Sequence, residues 1–311
     1  MADQYKNLRI VFMGTPEFAV ASLEALVKAK CNIVGVITAP DKPAGRGMKI
    51  QESAVKKFAS RKGLKILQPE KLKNSEFLEE LKSMNADLQV VVAFRMLPDV
   101  VWSMPRMGTI NVHASLLPQY RGAAPINWAA INGEKETGIT TFKLQHEIDT
   151  GDILLQEKLE IGENETAGEL HDRLKELGAQ VLVKTVEELA EGVLEEKPQS
   201  AIDGEIKHAP KIFTRDCNID WHKSINKIHD LIRGLSPYPA AFTELGDKTI
   251  KIFRSEKEMI LPTSKIGRWE SDKKTYLKFA CKDGYIFLKE VQLEGKKRMN
   301  IEDFLRGYKF S

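Results

Sequence analysis

Residues 8–14, Leu-Arg-Ile-Val-Phe-Met-Gly, are almost continuously apolar and end on glycine. Such a run predicts a buried strand entering a tight turn. Thr15, Pro16 and Glu17 then predict a helix start, with Thr15 as N-cap, Pro16 in the first turn and Glu17 favourable to the helix dipole. Val20, Leu23, Leu26 and Val27 recur at helical spacing, and residues 32–38 return to a β-rich run. Strand, helix and strand in this order predict a βαβ unit with a parallel sheet. Residues 88–94 are nearly all apolar and read as a central strand. Residues 109–113, 139–144 and 153–161 add strands. Residues 166–194 make a long helix with Leu170, Leu174, Leu177, Val181, Leu182, Val186 and Leu189 along one face.

The pattern changes at residues 195–207. Pro198, Gln199, Ser200 and Gly204 break the periodicity and predict a linker. Beyond it, residues 220–232 read as a helix. Short β-type runs at 241–243, 249–253, 276–280 and 285–288, some separated by turn signals, predict a small barrel or sandwich. The expected organisation is a domain over 1–194, the linker, and a second domain over 208–311.

A length of 311 residues suits two domains. With 42% hydrophobic and 29% charged residues, the composition excludes a disordered or collagen-like chain. No apolar run approaches the roughly 18–20 residues that span a bilayer. The polar start lacks a signal-peptide core. Cys31, Cys217 and Cys281 are widely spaced, which argues against a disulfide framework or cysteine zinc site and for a reducing, cytoplasmic setting. The net charge of +3 conceals an asymmetry: residues 201–311 carry 22 basic and 16 acidic side chains, a net of +6, against −3 for the rest. A basic back third points to an acidic partner such as nucleic acid, or to solvated lysines on an ordinary surface.

Gly14 follows a strand but lacks the G-x-G-x-x-G context, so it reads as a tight turn rather than a nucleotide cradle. The loop at 40–49 holds two prolines and two glycines with Lys42, Arg46 and Lys49; it is either a phosphate contact or a solvated loop. Asn111 and His113, two apart on a strand, present an amide and an imidazole to one face. They end a strand, where open α/β sheets place ligands. The acidic run Glu147-Ile148-Asp149-Thr150-Gly151-Asp152 can bring a carboxylate to His113, and residue chemistry does not separate Asp149 from Asp152. An amide near a developing oxyanion and an imidazole that moves protons suit acyl transfer. No Ser or Cys occupies a nucleophile elbow, which favours direct transfer to an amine over an acyl-enzyme. The remaining histidines lack metal-ligand spacing, so no metal is expected; His222 and His229 read as one helix's residues.

The run Asn111-Val112-His113-Ala114-Ser115-Leu116-Leu117-Pro118-Gln119-Tyr120-Arg121-Gly122-Ala123-Ala124-Pro125-Ile126 resembles the signature of the folate-dependent formyltransferases, and Asp149-Thr150-Gly151-Asp152 resembles their second signature. The resemblance implies a Rossmann-like domain using 10-formyltetrahydrofolate, with Asn111, His113 and Asp149 as the catalytic trio. It places Ser115, Leu116, Leu117 and Pro118 beside the folate, and Phe94, Arg95, Met96 and Leu97 where the family builds its pteridine pocket. Phe94-Arg95-Met96 stands where an aromatic-Gly pair is more usual after the Val-rich strand, and Arg95 bears on the lip of that pocket.

Phe12-Met13-Gly14-Thr15-Pro16-Glu17-Phe18-Ala19, the Pro43-Ala44-Gly45-Arg46-Gly47 loop, His208-Ala209-Pro210-Lys211-Ile212 and Arg233-Gly234-Leu235-Ser236-Pro237-Tyr238-Pro239 resemble the branch acting on charged initiator tRNA. This implies a C-terminal OB-like barrel, initiator methionyl-tRNA as partner, and Lys42, Arg46, Lys49 and Lys211 as tRNA contacts. A monomer is the default expectation. The alternatives are formylation of an amino-sugar nucleotide, hydrolysis of the formyl donor, and a catalytically silent RNA-binding protein.

Overall fold

The computed structural model describes residues 4–44, 49–201 and 205–308. Seven strands form the first sheet: β1 (Arg9–Gly14), β2 (Asn32–Ile37), β3 (Ile66–Leu67), β4 (Leu88–Val92), β5 (Thr109–His113), β6 (Glu136–Lys143) and β7 (Ile153–Glu160). Their order is β7-β6-β5-β4-β1-β2-β3. The β2–β3, β1–β2, β1–β4 and β4–β5 pairs are parallel, whereas β5 and β6 are antiparallel. The parallel part is the 3-2-1-4-5 order of a Rossmann-like sheet, whose strand order reverses between β1 and β4. The apolar runs explain the centre: every residue of β4 is buried, as is all of β1 after Arg9. Gly14 closes β1 without a left-handed backbone. A Cβ there would lie 2.6 Å from the Ala19 Cβ and 3.0 Å from the Val92 carbonyl, so close packing requires glycine.

Thr15 is not the N-cap. The first helix spans Glu17–Lys28 with Pro16 at the cap and no side-chain cap hydrogen bond, so Thr15 stands one residue too early. Two short amphipathic helices absent from the elements predicted above, Ala54–Arg61 and Ser75–Ser83, start on Ser53 and Asn74, whose side chains accept from Lys56 N and Phe77 N. The long helix is Ala167–Glu191, opened by a reciprocal box. Thr166 N donates to Glu169 Oε2 at 2.9 Å, and Glu169 N donates to Thr166 Oγ1 at 3.3 Å.

The chain divides into two compact units, and the division is not linear. One comprises Met1–Arg121, Gly138–Leu159 and Asp172–Lys207; the other Gly122–Thr137, Glu160–His171 and His208–Ser311. Residues 195–207, read as a linker, thus belong to the first unit. A reading along the chain misses this because the second unit takes helix Pro125–Ile131 as packing for helix Ile225–Leu235. Asn127 Nδ2 donates to Gly234 O at 2.8 Å, and a Cβ on Gly234 would lie 2.7 Å from Ile131 N.

The second unit's sheet contains β8 (Ala241–Leu245), β9 (Lys248–Glu258), β10 (Trp269–Ser271), β11 (Leu277–Ala280), β12 (Tyr285–Leu293) and β13 (Met299–Asn300). The order is β8-β9-β12-β11-β10, with β13 on β12, and every pair is antiparallel, a curled half-barrel. Helix Ile225–Leu235 covers it with Ile225, Ile228 and Ile232 against Ile250, Ile252, Ile286 and Leu288. Residues 220–224 precede this helix, so His222 and His229 do not share one; Trp221 instead stacks on Phe279 with ring centroids 4.5 Å apart.

Candidate functional site

Asn111 and His113 lie at the C-terminal end of β5, at the sheet edge where doubly wound folds bind ligands. Asn111 is the register partner of Phe142 on β6, and the His113 ring meets the Phe142 ring edge-on at 6.4 Å. Both expected side chains therefore project on one face, as the period of two requires. Asn111 is half-buried, and among the described residues no protein group engages its amide. His113 is buried. Its Nε2 lies 2.9 Å from the Tyr120 carbonyl oxygen. A carbonyl only accepts, so this contact places the ring proton on Nε2 and leaves Nδ1 with the lone pair. Nδ1 is 3.9 Å from Asp149 Oδ2, an ion-pair distance but too long for a direct hydrogen bond. The orienting bond on His113 thus comes from the Tyr120 backbone, which side-chain motifs do not reveal. Among the described residues no ion pair joins Asp152 to His113.

The acidic turn is held by its backbone. Asp149 has φ 55°, the left-handed region that Asp tolerates better than most residues. A Cβ on Gly151 would stand 1.7 Å from the Lys143 carbonyl, so glycine lets the turn lie flush on β6. Gln199, from the stretch read as linker, donates Nε2 hydrogens to Asp149 O at 2.9 Å and Gly151 O at 2.8 Å.

The 115–118 segment offers mostly backbone. Ser115, Leu117 and Pro118 are buried and Leu116 is half-buried. Thr140 ties the segment down: its hydroxyl donates to Ser115 O at 2.7 Å and accepts from Leu117 N at 3.1 Å and Gln156 Nε2 at 2.9 Å. In the 94–97 segment, Leu97 and Phe94 join the core beneath β1 and β4, and only Met96 is well exposed. Arg95 donates to the carbonyls of Pro69 and Glu70, the latter at 2.7 Å. Burial lowers the pKa of this guanidinium from its ordinary value. It acts as a tie between two loops.

Of the expected tRNA contacts, Lys42 is exposed at the base of a hairpin formed by Lys42–Ala44 and Lys49–Gln51. Arg46 and the Lys49 side chain lie outside the described residues. Lys211 is exposed in the second unit, with Lys211 Nζ and the Arg215 guanidinium each 5.6 Å from the centroid of the exposed Phe213 ring.

A formyl transferase family model matches residues 8–186, and a model of the formyl transferase C-terminal domain matches 211–309. The methionyl-tRNA formyltransferase of Parabacteroides distasonis is 54% identical over 98% of this chain and 97% of its own. That of Phocaeicola vulgatus is 55% identical with the same coverage. Among solved structures, an N-formyltransferase from Helicobacter canadensis, in complex with folinic acid and dTDP-3-aminofucose, superposes with a TM-score of 0.68 at 21% identity, covering 90% of this chain and 98% of that one. At that identity the likeness concerns the fold. The two family matches and the full-length relatives place this chain in the formyltransferase family, among the methionyl-tRNA formyltransferases.

Proposed function

We propose that the protein transfers the formyl group of 10-formyltetrahydrofolate to the α-amino group of initiator methionyl-tRNA. The observation that carries the reading is the unengaged Asn111 amide beside a His113 ring whose free nitrogen faces the Asp149 carboxylate. A half-exposed amide donor next to a buried proton acceptor fits a carbonyl-bearing donor. The folate supplies a formyl carbon on a nitrogen able to leave. Backbone groups of 115–118 and 94–97 hold it on this reading.

The amine attacks as its free base. A nitrogen–carbon bond forms, the bond from that carbon to the donor nitrogen breaks, and the proton shed by the amine ends on the departing nitrogen. Asn111 Nδ2 donates to the formyl oxygen as it becomes negative, where a fixed donor stabilises charge without reorganisation. His113 Nδ1 is the ring nitrogen open to a proton, and a proton there sits between the ring and Asp149. Asp149, facing that nitrogen across 3.9 Å, takes part in the relay.

The basic 40–49 segment with Lys42, Arg46 and Lys49, and the second unit with Lys211, serve as phosphate contacts in this reading. They favour tRNA over an amino-sugar nucleotide as acceptor. No described helix is long and apolar enough to cross a membrane. A translation role puts the protein in the cytoplasm, acting as a monomer. The deciding experiment supplies charged initiator tRNA and labelled formyl donor and identifies N-formylmethionyl-tRNA. Free formate released without any amine acceptor would overturn the reading in favour of hydrolysis.

A further inference from the structure

Gln199 is 4% exposed and uses its whole amide. The two Nε2 hydrogens go to Asp149 O at 2.9 Å and Gly151 O at 2.8 Å. Its Oε1 accepts from Arg121 Nε at 3.0 Å and Nη2 at 2.6 Å. Arg121 directly follows Tyr120, whose carbonyl takes the His113 Nε2 proton. One buried amide therefore links the segments that approach His113 from its two sides: the carbonyl-bearing segment at Nε2 and the carboxylate-bearing turn at Nδ1. Both segments have left-handed residues at the critical point, Tyr120 with φ 60° and Asp149 with φ 55°. Such backbone persists only where surroundings over-determine it. Gly151, with no side chain and flush on Lys143, adds no grip of its own on that turn. The chemistry needs a planar group with two donors on one end and an acceptor on the other. Only Asn and Gln carry that combination, and Gln has the longer reach.

We propose that Gln199 is a positioning residue for formyl transfer. With Arg121 it sets the distance between Asp149 and His113 Nδ1 and fixes the ring in the tautomer protonated at Nε2. The proposal rests on the function given above and assigns to the Lys197–Gln199 stretch a part in that site. The stretch is anchored for this role: Lys197 N donates to Ile153 O and Ile153 N to Lys197 O, each at 2.9 Å. Gln199 itself touches no reacting atom. Its loss should therefore lower the chemical step and leave substrate affinities alone. Misplacement of a catalytic group by an ångström costs on the order of 10²-fold.

The test uses Gln199→Leu and Gln199→Glu in the full chain. Leu removes both functions of the amide. Glu keeps its size and an acceptor for Arg121 but turns lone pairs toward the Asp149 and Gly151 carbonyls. Single-turnover formylation of charged initiator tRNA is measured against pH, with the KM for each substrate. In parallel, ¹⁵N-histidine NMR reads the His113 tautomer, its resonances assigned by their loss in His113→Asn. The expected result is a slower single-turnover rate with an altered pH profile, unchanged KM values, and loss of the single Nε2-protonated signal in both variants. Unchanged rate and unchanged tautomer, or a rise in KM at constant rate, overturns the proposal. If Gln199→Leu does not fold, the Glu variant carries the same test. Absence of formylation by the wild-type protein would overturn the functional reading instead, while the NMR comparison would still decide whether Gln199 fixes His113.

Discussion

His113 is oriented by Tyr120 through a main-chain carbonyl, with Nε2 and O 2.9 Å apart, while Asp149 stands 3.9 Å from the opposite ring nitrogen. The carboxylate thus faces the ring nitrogen that Tyr120 leaves open, which on the proposed function is the one that exchanges protons. Replacing Asp149 by Asn should leave the His113 orientation intact in a structure or NMR spectrum while slowing the chemical step.

Asn111→Ala removes the one side-chain donor assigned to the formyl oxygen. Single-turnover formylation should fall by ~10²–10³-fold, the usual cost of losing an oxyanion donor. His113→Ala should fall at least as far. Retention of wild-type single-turnover rates in both would remove these residues from the chemistry.

Thr140→Val deletes a buried hydroxyl that makes three hydrogen bonds to the 115–117 backbone and Gln156. Leu117 N is then left without that acceptor, a loss of about 1–3 kcal/mol in unfolding free energy. Denaturant melts check the stability. A raised KM for the formyl donor checks that this segment borders the folate.

Buried His229 has a pKa below its ordinary value, first through burial and then through the charge of Lys257. Its Nδ1 lies 3.0 Å from the Ser255 hydroxyl, and Nε2 has no hydrogen-bond partner among the described residues. A lowered folded pKa means that the unfolded chain takes up the proton first. Stability is therefore full above the unfolded value of about 6.5 and declines as pH falls below it and through the folded value. Thermal melts between about pH 5 and 8 should show this decline, and it should be shallower in His229→Gln.

Lys42→Ala and Lys211→Ala should each weaken tRNA binding and leave the KM for the formyl donor unchanged. If each lysine contacts one phosphate, each substitution should reduce the salt dependence of tRNA affinity by about one phosphate's share. Filter-binding titrations at several salt concentrations measure it.

Much of this was legible because the signals are local. Apolar runs mark β1, β2 and β4, and period-two spacing puts Asn111 and His113 on one face. Alternation does not encode strand direction, so the antiparallel β6 beside β5 was not evident. Tyr120 contributes a carbonyl, which every residue has. Gln199 sits among Pro198, Ser200 and Gly204, a composition that reads as linker, yet its amide is buried and fully used. A polar residue whose partners lie about 50 and 80 positions away leaves no periodic trace.

The interleaving of the two compact units bears on how the protein is made. Helix Pro125–Ile131 leaves the ribosome long before helix Ile225–Leu235, its packing partner, has been synthesised. Arg121 and Gly122, adjacent in the central motif, fall in different units. A nascent chain therefore carries an uncovered apolar helix downstream of β5 until helix Ile225–Leu235 has emerged. Truncation anywhere before helix Ile225–Leu235 would release a protein with that helix still uncovered, a ready substrate for chaperones and proteases.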